Sequence, residues 1–298
     1  MISTSEAWPA LPLDAWRPTY DTLHLYTQIA GKIRLALAPP EPEWNYVTLY
    51  VTSRGLTTSP MPYKGRSFEI AFDFIMHKLV IAASDGRAKF IDLVPPLSVA
   101  AFYSAVMNGL KECGIEVSIS DAPQEWFGDA IPFSKDETHA SYDRERVEAF
   151  FRILVNVDTL LRKHRAPFRG RHTPSQLWWG SFDLGYERFS GKPATPPPGA
   201  NLLFRVGGDA EQINVGFWPG DARFAEPAFF SYAYPKPDGI ETATIKPGAA
   251  FWSKDLGEFV LRYEDVRRSP SPEQAVLDFA SSAYDAAATL GHWPALIG

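Results

Sequence analysis

The sequence predicts an α+β protein made by tandem duplication of a helix–antiparallel sheet–helix unit, with pseudo-twofold symmetry and helices packed on the sheets. Apolar residues recur at helical spacing in four separate segments, and several runs between them alternate apolar and polar residues as half-buried strands do. The two halves also share a spacing, since Trp44 and Trp178, like Arg54 and Arg188, lie 134 residues apart. A repeated order of elements with residues at a repeated spacing indicates an internal copy.

The first half begins with a helix whose apolar residues return every four positions, at Leu25, Ile29 and Ile33. The helix ends at Pro39, because proline cannot continue it. Alternating strands follow, the last two joined by a Ser-Asp-Gly turn, and Ser98 is placed as the N-cap of a second helix. The predicted elements are a helix at 21–38, strands at 46–53, 67–75, 78–83 and 88–93, and a helix at 98–113.

The second half contains the most unusual stretch, WWGSFDLGYERFSG at 178–191, which we predict to be one extended run. Its register against the first half is open. At a spacing of 134, Asp183 takes a position that is apolar in the first half; at 135 it faces the other side of the sheet. The remaining predicted elements are a helix at 143–164, strands at 213–218, 228–234, near 251 and at 258–263, and a helix after Ser271, which is expected to cap it.

These elements predict four regions. An arm at 1–18, pinned by two tryptophans, precedes the first α+β half at 19–117. A stretch without periodicity at 118–142 connects it to the second half at 143–298.

Composition narrows the range of partners. The hydrophobic fraction of 45% is that of a globular protein, and the formal net charge of −6 argues against nucleic acid or an anionic membrane as the main partner. One cysteine, Cys113, cannot form an intrachain disulfide, and we find neither a signal peptide nor a membrane-spanning run. We therefore expect a cytoplasmic protein that binds a small molecule, with a homodimer as a further possibility.

Several common chemistries lack their motifs. The six histidines form no close pair, so we expect no metal site, and no phosphate-binding loop or nucleotide fingerprint occurs, so we expect no cofactor. A nucleophile elbow is also absent. Asp183 and Glu187 share one face of a strand but lie about 13 Å apart at 3.3 Å per residue, too far for a glycosidase pair.

Particular segments resemble a bacterial family known as a domain of unknown function. They are WGSFDL and RFSG within 178–191, THASYD at 138–143, TLHLYTQIAGKIRLALAPP at 22–40, VTLYVTSRGLTTSP at 47–60, and GFWPG with EPAFFSYAYP at 216–235. The resemblance spans nearly the whole chain. It implies a full-length member of one family and carries no activity and no catalytic residues.

The candidate site is assembled from polar residues and tryptophans that the duplication would bring to the seam between the halves. His24, Gln28 and Lys32 form a polar stripe on the first helix, with His24 and Asp183 as proton carriers. The two arginines at equivalent strand ends are expected to hold an anion. The predicted ligand-binding residues are Gln28, Lys32, Arg54, His139, Trp178, Trp179 and Arg188.

Each of these residues also has a purely structural interpretation. The polar stripe is also typical of a solvated helix face, each arginine can pair with a nearby acid, and the tryptophans suit a core. Two hypotheses remain open at this point. One is a small-molecule-binding protein, and in its catalytic form a cofactor-free acid–base enzyme with an aromatic-lined cleft. The alternative is a non-catalytic interaction or scaffold protein with an exposed apolar patch.

Overall fold

The computed structural model describes residues 7–196, 198–200 and 202–294. Over these residues the protein is α+β, with two antiparallel sheets and six α-helices, so the predicted fold class is confirmed. The chain divides into two compact units. The N-terminal unit comprises Leu11–Val155 and Gln176–Phe182; the C-terminal unit comprises the described residues of Met1–Ala10, Asn156–Ser175 and Asp183–Gly298. The four regions predicted from the sequence stay a prediction.

Two helices of the N-terminal unit follow the sequence signals. Helix α1, Arg17–Leu37, is buried along most of its length, polar stripe included. Helix α2, Val99–Glu112, begins where the Ser98 Oγ accepts a hydrogen bond of 3.1 Å from the Ala101 N–H, which confirms the predicted N-cap. Gly114 follows α2 with a φ of 68°, a left-handed conformation that favours glycine.

The sheet of the N-terminal unit has the strand order β1-β2-β4-β5-β6, with β3 paired to β4. The strand predicted at 46–53 was wrong in extent, because residues 46–48 form a turn and a bend and only Tyr50 and Val51 form a strand. The short strands β2 and β3 were not predicted. The strands are β1 (Tyr50–Val51), β2 (Gly55–Thr57), β3 (Met61–Tyr63), β4 (Arg66–Asp73), β5 (Lys78–Ala83) and β6 (Ala88–Asp92).

The aromatic stretch at 178–191 is not one extended run, contrary to the prediction. Strand β7, Gln176–Trp178, joins the N-terminal unit through a bridge between Leu177 and Leu49. The chain then turns, and the Phe182 N–H donates to the Trp178 carbonyl at 2.7 Å while Phe182 takes a φ of 61°. Strand β8 begins only at the next residue.

The C-terminal unit is built on five strands in the order β11-β12-β10-β9-β8. They are β8 (Asp183–Pro193), β9 (Ala210–Trp218), β10 (Ala228–Tyr234), β11 (Phe251–Ser253) and β12 (Glu258–Arg262). The remaining helices are α3 (Arg144–Arg165), α4 (Leu202–Gly207), α5 (Tyr263–Arg268) and α6 (Pro272–Leu290). Helix α6 begins where expected, but Ser271 makes no side-chain capping bond, contrary to the prediction.

The two sheets differ at their last hairpin. In the N-terminal unit the final strand β6 is an edge, whereas in the C-terminal unit the final strand β12 lies between β10 and β11. The predicted duplication and pseudo-twofold symmetry therefore stay a prediction. Among the described residues, no helix combines the length and the apolar character that crossing a membrane requires.

Candidate functional site

The polar stripe of α1 lies inside the N-terminal unit. The His24 Nε2 lies 3.0 Å from the Trp179 carbonyl oxygen, 2.9 Å from that of Gly180 and 3.1 Å from the Gln28 amide nitrogen. The Phe182 ring stacks on the His24 ring at 4.8 Å between centroids. His24 thus holds the turn after β7 against α1.

The other two residues of the stripe hold the segment that follows α2. The Gln28 side-chain amide donates to the Gln124 carbonyl at 2.8 Å and accepts from the Gln124 N–H at 2.7 Å. The Lys32 ammonium donates to the Ala122 carbonyl at 2.7 Å, and burial lowers the pKa of Lys32. Both residues satisfy backbone groups of an otherwise irregular stretch, as buried polar side chains commonly do.

A second histidine, His139, lies near the stripe. Its Nδ1 is 2.7 Å from the Asp136 carboxylate, which is buried. The Trp126 ring lies between the two histidines, 5.5 Å from His24 and 5.5 Å from His139. Burial raises the pKa of Asp21, and the nearby Arg17 opposes that shift. The N-terminal unit therefore brings His24, Gln28, Lys32 and His139 together, and their role in a site at a seam between halves stays a prediction.

Three further predicted residues of this unit have structural partners. The Trp179 ring covers Gly31, and its Nε1 donates to the Val47 carbonyl at 2.9 Å, so it is a core side chain. The exposed Arg54 pairs with Asp73 at 2.6 Å. Trp178 is half-buried in β7. Their roles in ligand binding stay predictions.

The remaining two predicted residues lie on opposite faces of the sheet in the C-terminal unit. Arg188 faces the helices, where its guanidinium donates to the His164 carbonyl and lies 4.4 Å from the Tyr284 ring centroid and 4.8 Å from that of Phe168. Asp183 lies five residues earlier in β8 and therefore projects to the other face. An anion held by Arg188 would lie away from Asp183.

The face that carries Asp183 also carries several other polar and ionisable side chains. Glu187 pairs across the sheet with Asn214, and Asn214 pairs in turn with Tyr232. Phe259 pairs with Ser231, so the preceding residue of β12, Glu258, projects to the same face as Tyr232. We call Asp183, Glu187, Asn214, Tyr232 and Glu258 the carboxylate face.

Glu187 is the buried member of the carboxylate face, with 6% of its surface exposed. One carboxylate oxygen accepts from the Thr173 hydroxyl at 2.7 Å, and the other accepts from the Asn214 amide at 2.8 Å. The Thr173 hydroxyl also accepts from the Glu187 N–H at 2.9 Å. These neutral donors hold the carboxyl group in one position without supplying a positive charge.

Burial and the charge of Asp183 raise the pKa values of the two glutamates on this face. Burial raises the pKa of Glu187 to about 7, and the negative charge of Asp183 adds to the shift. Burial and Asp183 likewise raise the pKa of Glu258 to about 7, against the opposing charge of Arg223. Burial and the same three carboxylates raise the pKa of Tyr232. At neutral pH, Glu187 and Glu258 are therefore each about half protonated.

Two buried polar atoms on β9 lack hydrogen-bond partners among the described residues. They are the Asn214 Oδ1 and the Trp218 Nε1, on residues 3% and 6% exposed. Each such orphan costs about 1–3 kcal/mol. The Asn214 Oδ1 lies over Gly185, where a Cβ atom would come within 3.2 Å of it. Because residues 214 and 218 are four apart in one strand, the acceptor and the donor are on the same face.

The glycines between these residues shape the surface. At Gly216 a Cβ atom would come within 2.6 Å of the Phe230 ring, so this ring rests directly on the backbone. Trp218, Phe230 and Val260 form a small apolar cluster, against which Tyr232 and Phe251 pack while still partly exposed. The carboxylate face therefore combines buried polar atoms with a partly open aromatic border.

Sequence reasoning found part of this face and missed the rest. The two-residue period placed Asp183 and Glu187 on one side of a strand, and the structure confirms it. Asn214, Tyr232 and Glu258 were missed, although polar residues in the otherwise apolar strands β9 and β10 were a signal. Their convergence depends on the pairing of four strands, which alternation within each strand does not fix.

The chemistry of the carboxylate face is that of hydrogen-bond acceptance and proton exchange at neutral pH. It does not match a metal centre, because no group of three or more His, Cys, Asp or Glu side chains in the described ranges is placed to bind one ion. The helix-facing side offers His164, whose pKa falls to about 3 through burial and the nearby Arg188 charge.

The comparisons with known proteins agree with the resemblance that the motifs indicated. A family model described as a family of unknown function, DUF5996, matches residues 8–296. No curated protein and no solved structure matches the chain.

Proposed function

Because this chain belongs to the family of unknown function DUF5996, we propose its function from the geometry of its own residues: it binds a polar small molecule on the carboxylate face of the C-terminal unit. The observation that carries the proposal is the unpartnered Asn214 Oδ1, buried beside ionisable carboxyl groups. Buried polar atoms in native proteins are usually satisfied by protein, water or a ligand, and this one lies on a face with ionisable groups that reach solvent.

The surroundings of this atom support a binding site. Asp183, Tyr232 and Glu258 are half-buried, so one side of the face is open to a molecule from solvent. Partly exposed aromatic rings border the polar atoms, the combination that small-molecule sites use for affinity and orientation. The proposal needs neither the predicted seam between halves nor the pseudo-twofold symmetry.

In its catalytic form, the same site would carry out acid–base chemistry. Glu187 and Glu258 each exchange a proton near neutral pH, the range that general acids and bases require. We assign proton transfer to these two residues in preference to His24, whose Nε2 is occupied by two backbone carbonyls. Asp183 would then tune their pKa values through its charge.

The test is ligand-induced stabilisation of matched variants. Thermal unfolding is measured for the wild-type protein, for Glu258→Gln, and for Glu69→Gln, a half-buried glutamate on β4 of the other sheet. The compounds are amines, sugars, carboxylates, phosphates and nucleosides of low mass. A ligand at 100 times its dissociation constant stabilises the folded state by about 2.7 kcal/mol.

We expect at least one class to raise the melting temperature of the wild-type protein and of Glu69→Gln by several degrees, with little effect on Glu258→Gln. If no class stabilises the wild type, the proposal fails. Equal stabilisation of wild type and Glu258→Gln would place the ligand elsewhere and also reject it.

A second candidate function is an interaction protein, as the sequence analysis left open. Phe90 is 63% exposed on the edge strand β6, and Ile75 and Met76 are exposed at the turn between β4 and β5. Open edges that carry apolar side chains favour pairing with another chain. Sedimentation velocity tests this alternative, which requires a homodimer that Phe90→Ser dissociates; a monomer at all concentrations rejects it.

We retain the cytoplasm as the expected compartment of the protein.

A further inference from the structure

We propose that the molecule bound on the carboxylate face is a small organic cation, an amine or guanidine attached to an apolar body. This inference rests on the proposed binding function and names its ligand class. Its basis is the combination of carboxylates, an unpartnered acceptor and aromatic rings on one face.

The carboxylate face carries three carboxyl groups close together. Three carboxyl groups, those of Asp183, Glu187 and Glu258, influence one another or the neighbouring Tyr232. The cation that acts on Glu258 is Arg223, and its guanidinium lies 2.6 Å from the carboxylate of Asp221. Asp221 itself adds negative charge near Glu258. A cationic ligand would be attracted to these carboxyl groups, whereas an anion would be repelled by them.

The hydrogen-bonding atoms favour the same class. The Asn214 Oδ1 has an unused acceptor position, and both oxygens of Glu187 already accept from neutral donors. An ammonium or guanidinium group has several N–H donors and no acceptor, so it suits a surface rich in acceptors.

The aromatic border supplies the contact for an apolar body. The Phe230 ring stacks nearly parallel to the Tyr232 ring at 6.3 Å, and Phe251 packs against the same cluster. Aromatic faces attract cations and also bury aliphatic or aromatic groups. A ligand with a charged head and an apolar body would therefore use both parts of the site.

The experiment compares compounds that share a body and differ in the head group. The probes are phenethylamine and phenethylguanidine as cations, phenethyl alcohol as a neutral analogue, phenylacetate as an anion, and glucose as a donor-rich neutral molecule. Binding is measured by isothermal titration calorimetry with the wild-type protein, Glu258→Gln, Glu187→Gln and the control Glu69→Gln. Each titration at pH 7 is repeated in two buffers of different ionisation enthalpy, so that the protons released on binding are counted.

We expect a cation to bind the wild type and Glu69→Gln equally, and to bind Glu258→Gln at least tenfold more weakly. Binding should release protons, because a nearby positive charge favours the ionised form of both glutamates. Glu187→Gln should release fewer. Selective binding of the alcohol, the acid or glucose, lost in Glu258→Gln, would overturn the cation class and leave the site intact. Binding of none of the probes overturns the cation class, while the broader stabilisation screen decides the site itself.

Discussion

Replacing Glu187 by glutamine should make the protein more stable at alkaline pH than the wild type. Glutamine keeps the shape of the side chain, an acceptor for the Asn214 amide and a group that can bond to the Thr173 hydroxyl. It removes the buried carboxyl group, whose pKa in the folded protein is about 7 instead of the usual 4.5.

The sign follows from proton binding. Between these two pKa values the folded state holds the Glu187 proton more tightly than the unfolded chain does, so the wild-type free energy of unfolding falls as pH rises from about 4.5 to about 7. For a shift of this size, the difference between variant and wild type should grow by about 2.5 kcal/mol from pH 5 to pH 8. Protonation of His164 at low pH affects the free energy of unfolding of both proteins, so its effect cancels in the difference between them.

The measurement is urea unfolding at pH 5, 6, 7 and 8 of the wild type, Glu187→Gln and the control Glu69→Gln. The control separates the effect of the buried Glu187 carboxyl group from the effect of replacing a glutamate elsewhere in the protein. If the free energies of wild type and Glu187→Gln change in parallel over this range, Glu187 does not carry its proton to neutral pH, and the assignment of proton exchange to it is wrong.

Three further predictions concern both units. Gly31→Ala should lower the free energy of unfolding, measured with urea, by about 3 kcal/mol or more. The added Cβ would lie 2.2 Å from the Trp179 ring, and this overlap outweighs the gain of about 1 kcal/mol in helix propensity. Gln28→Ala should speed amide hydrogen exchange at Gln124 at least tenfold while the helices keep their protection, because it removes both bonds to that residue. His164→Asn should flatten the loss of stability between pH 6.5 and 4, because the wild-type ring, with a pKa of about 3, stays neutral when folded and takes up a proton when unfolded.

Each of these variants has a matched control or a reference protein. Gly109→Ala should hardly change the stability, because the atom nearest to its added Cβ is a flexible Ile81 methyl group at 3.1 Å. An equal loss of stability at both glycines would contradict the packing argument. Arg54→Ala, on the exposed side of the same unit, should leave exchange at residue 124 unchanged. The wild-type protein measured over the same pH range is the reference for His164→Asn, and an equally steep loss of stability in this variant would remove the special role of the buried ring.

The sequence predicted the elements with strong local signals. Helical spacing located α1, α2, α3 and α6 within a few residues, and the Ser-Asp-Gly turn located the β5–β6 hairpin. The prediction from the sequence failed where the backbone conformation departs from the pattern of apolar and polar residues. The left-handed Phe182 breaks a run that alternates like a strand, and nothing in the side-chain pattern marks that turn. Strands of two or three residues, such as β1 and β2, are too short for a period to be recognised.

The candidate site was likewise predicted in part and missed in part. A four-residue spacing correctly placed His24, Gln28 and Lys32 on one stripe, and the structure uses that stripe to hold backbone carbonyls of distant segments. The carboxylate face required knowledge of which strands are neighbours. Glu187 and Glu258 are 71 residues apart in the chain, and their placement on one face follows from the pairing of β8, β9, β10 and β12.

The interleaving of the two units along the chain has a consequence for their origin and for their dissection. Polypeptide passes from one unit to the other after Ala10, Val155, Ser175 and Phe182. No single break in the backbone can therefore release both units whole, since one fragment always lacks a piece retained by the other. Half-molecules made by expression or by a protease should fail to keep cooperative unfolding, and an ancestor of half the length would have needed a different path for its chain.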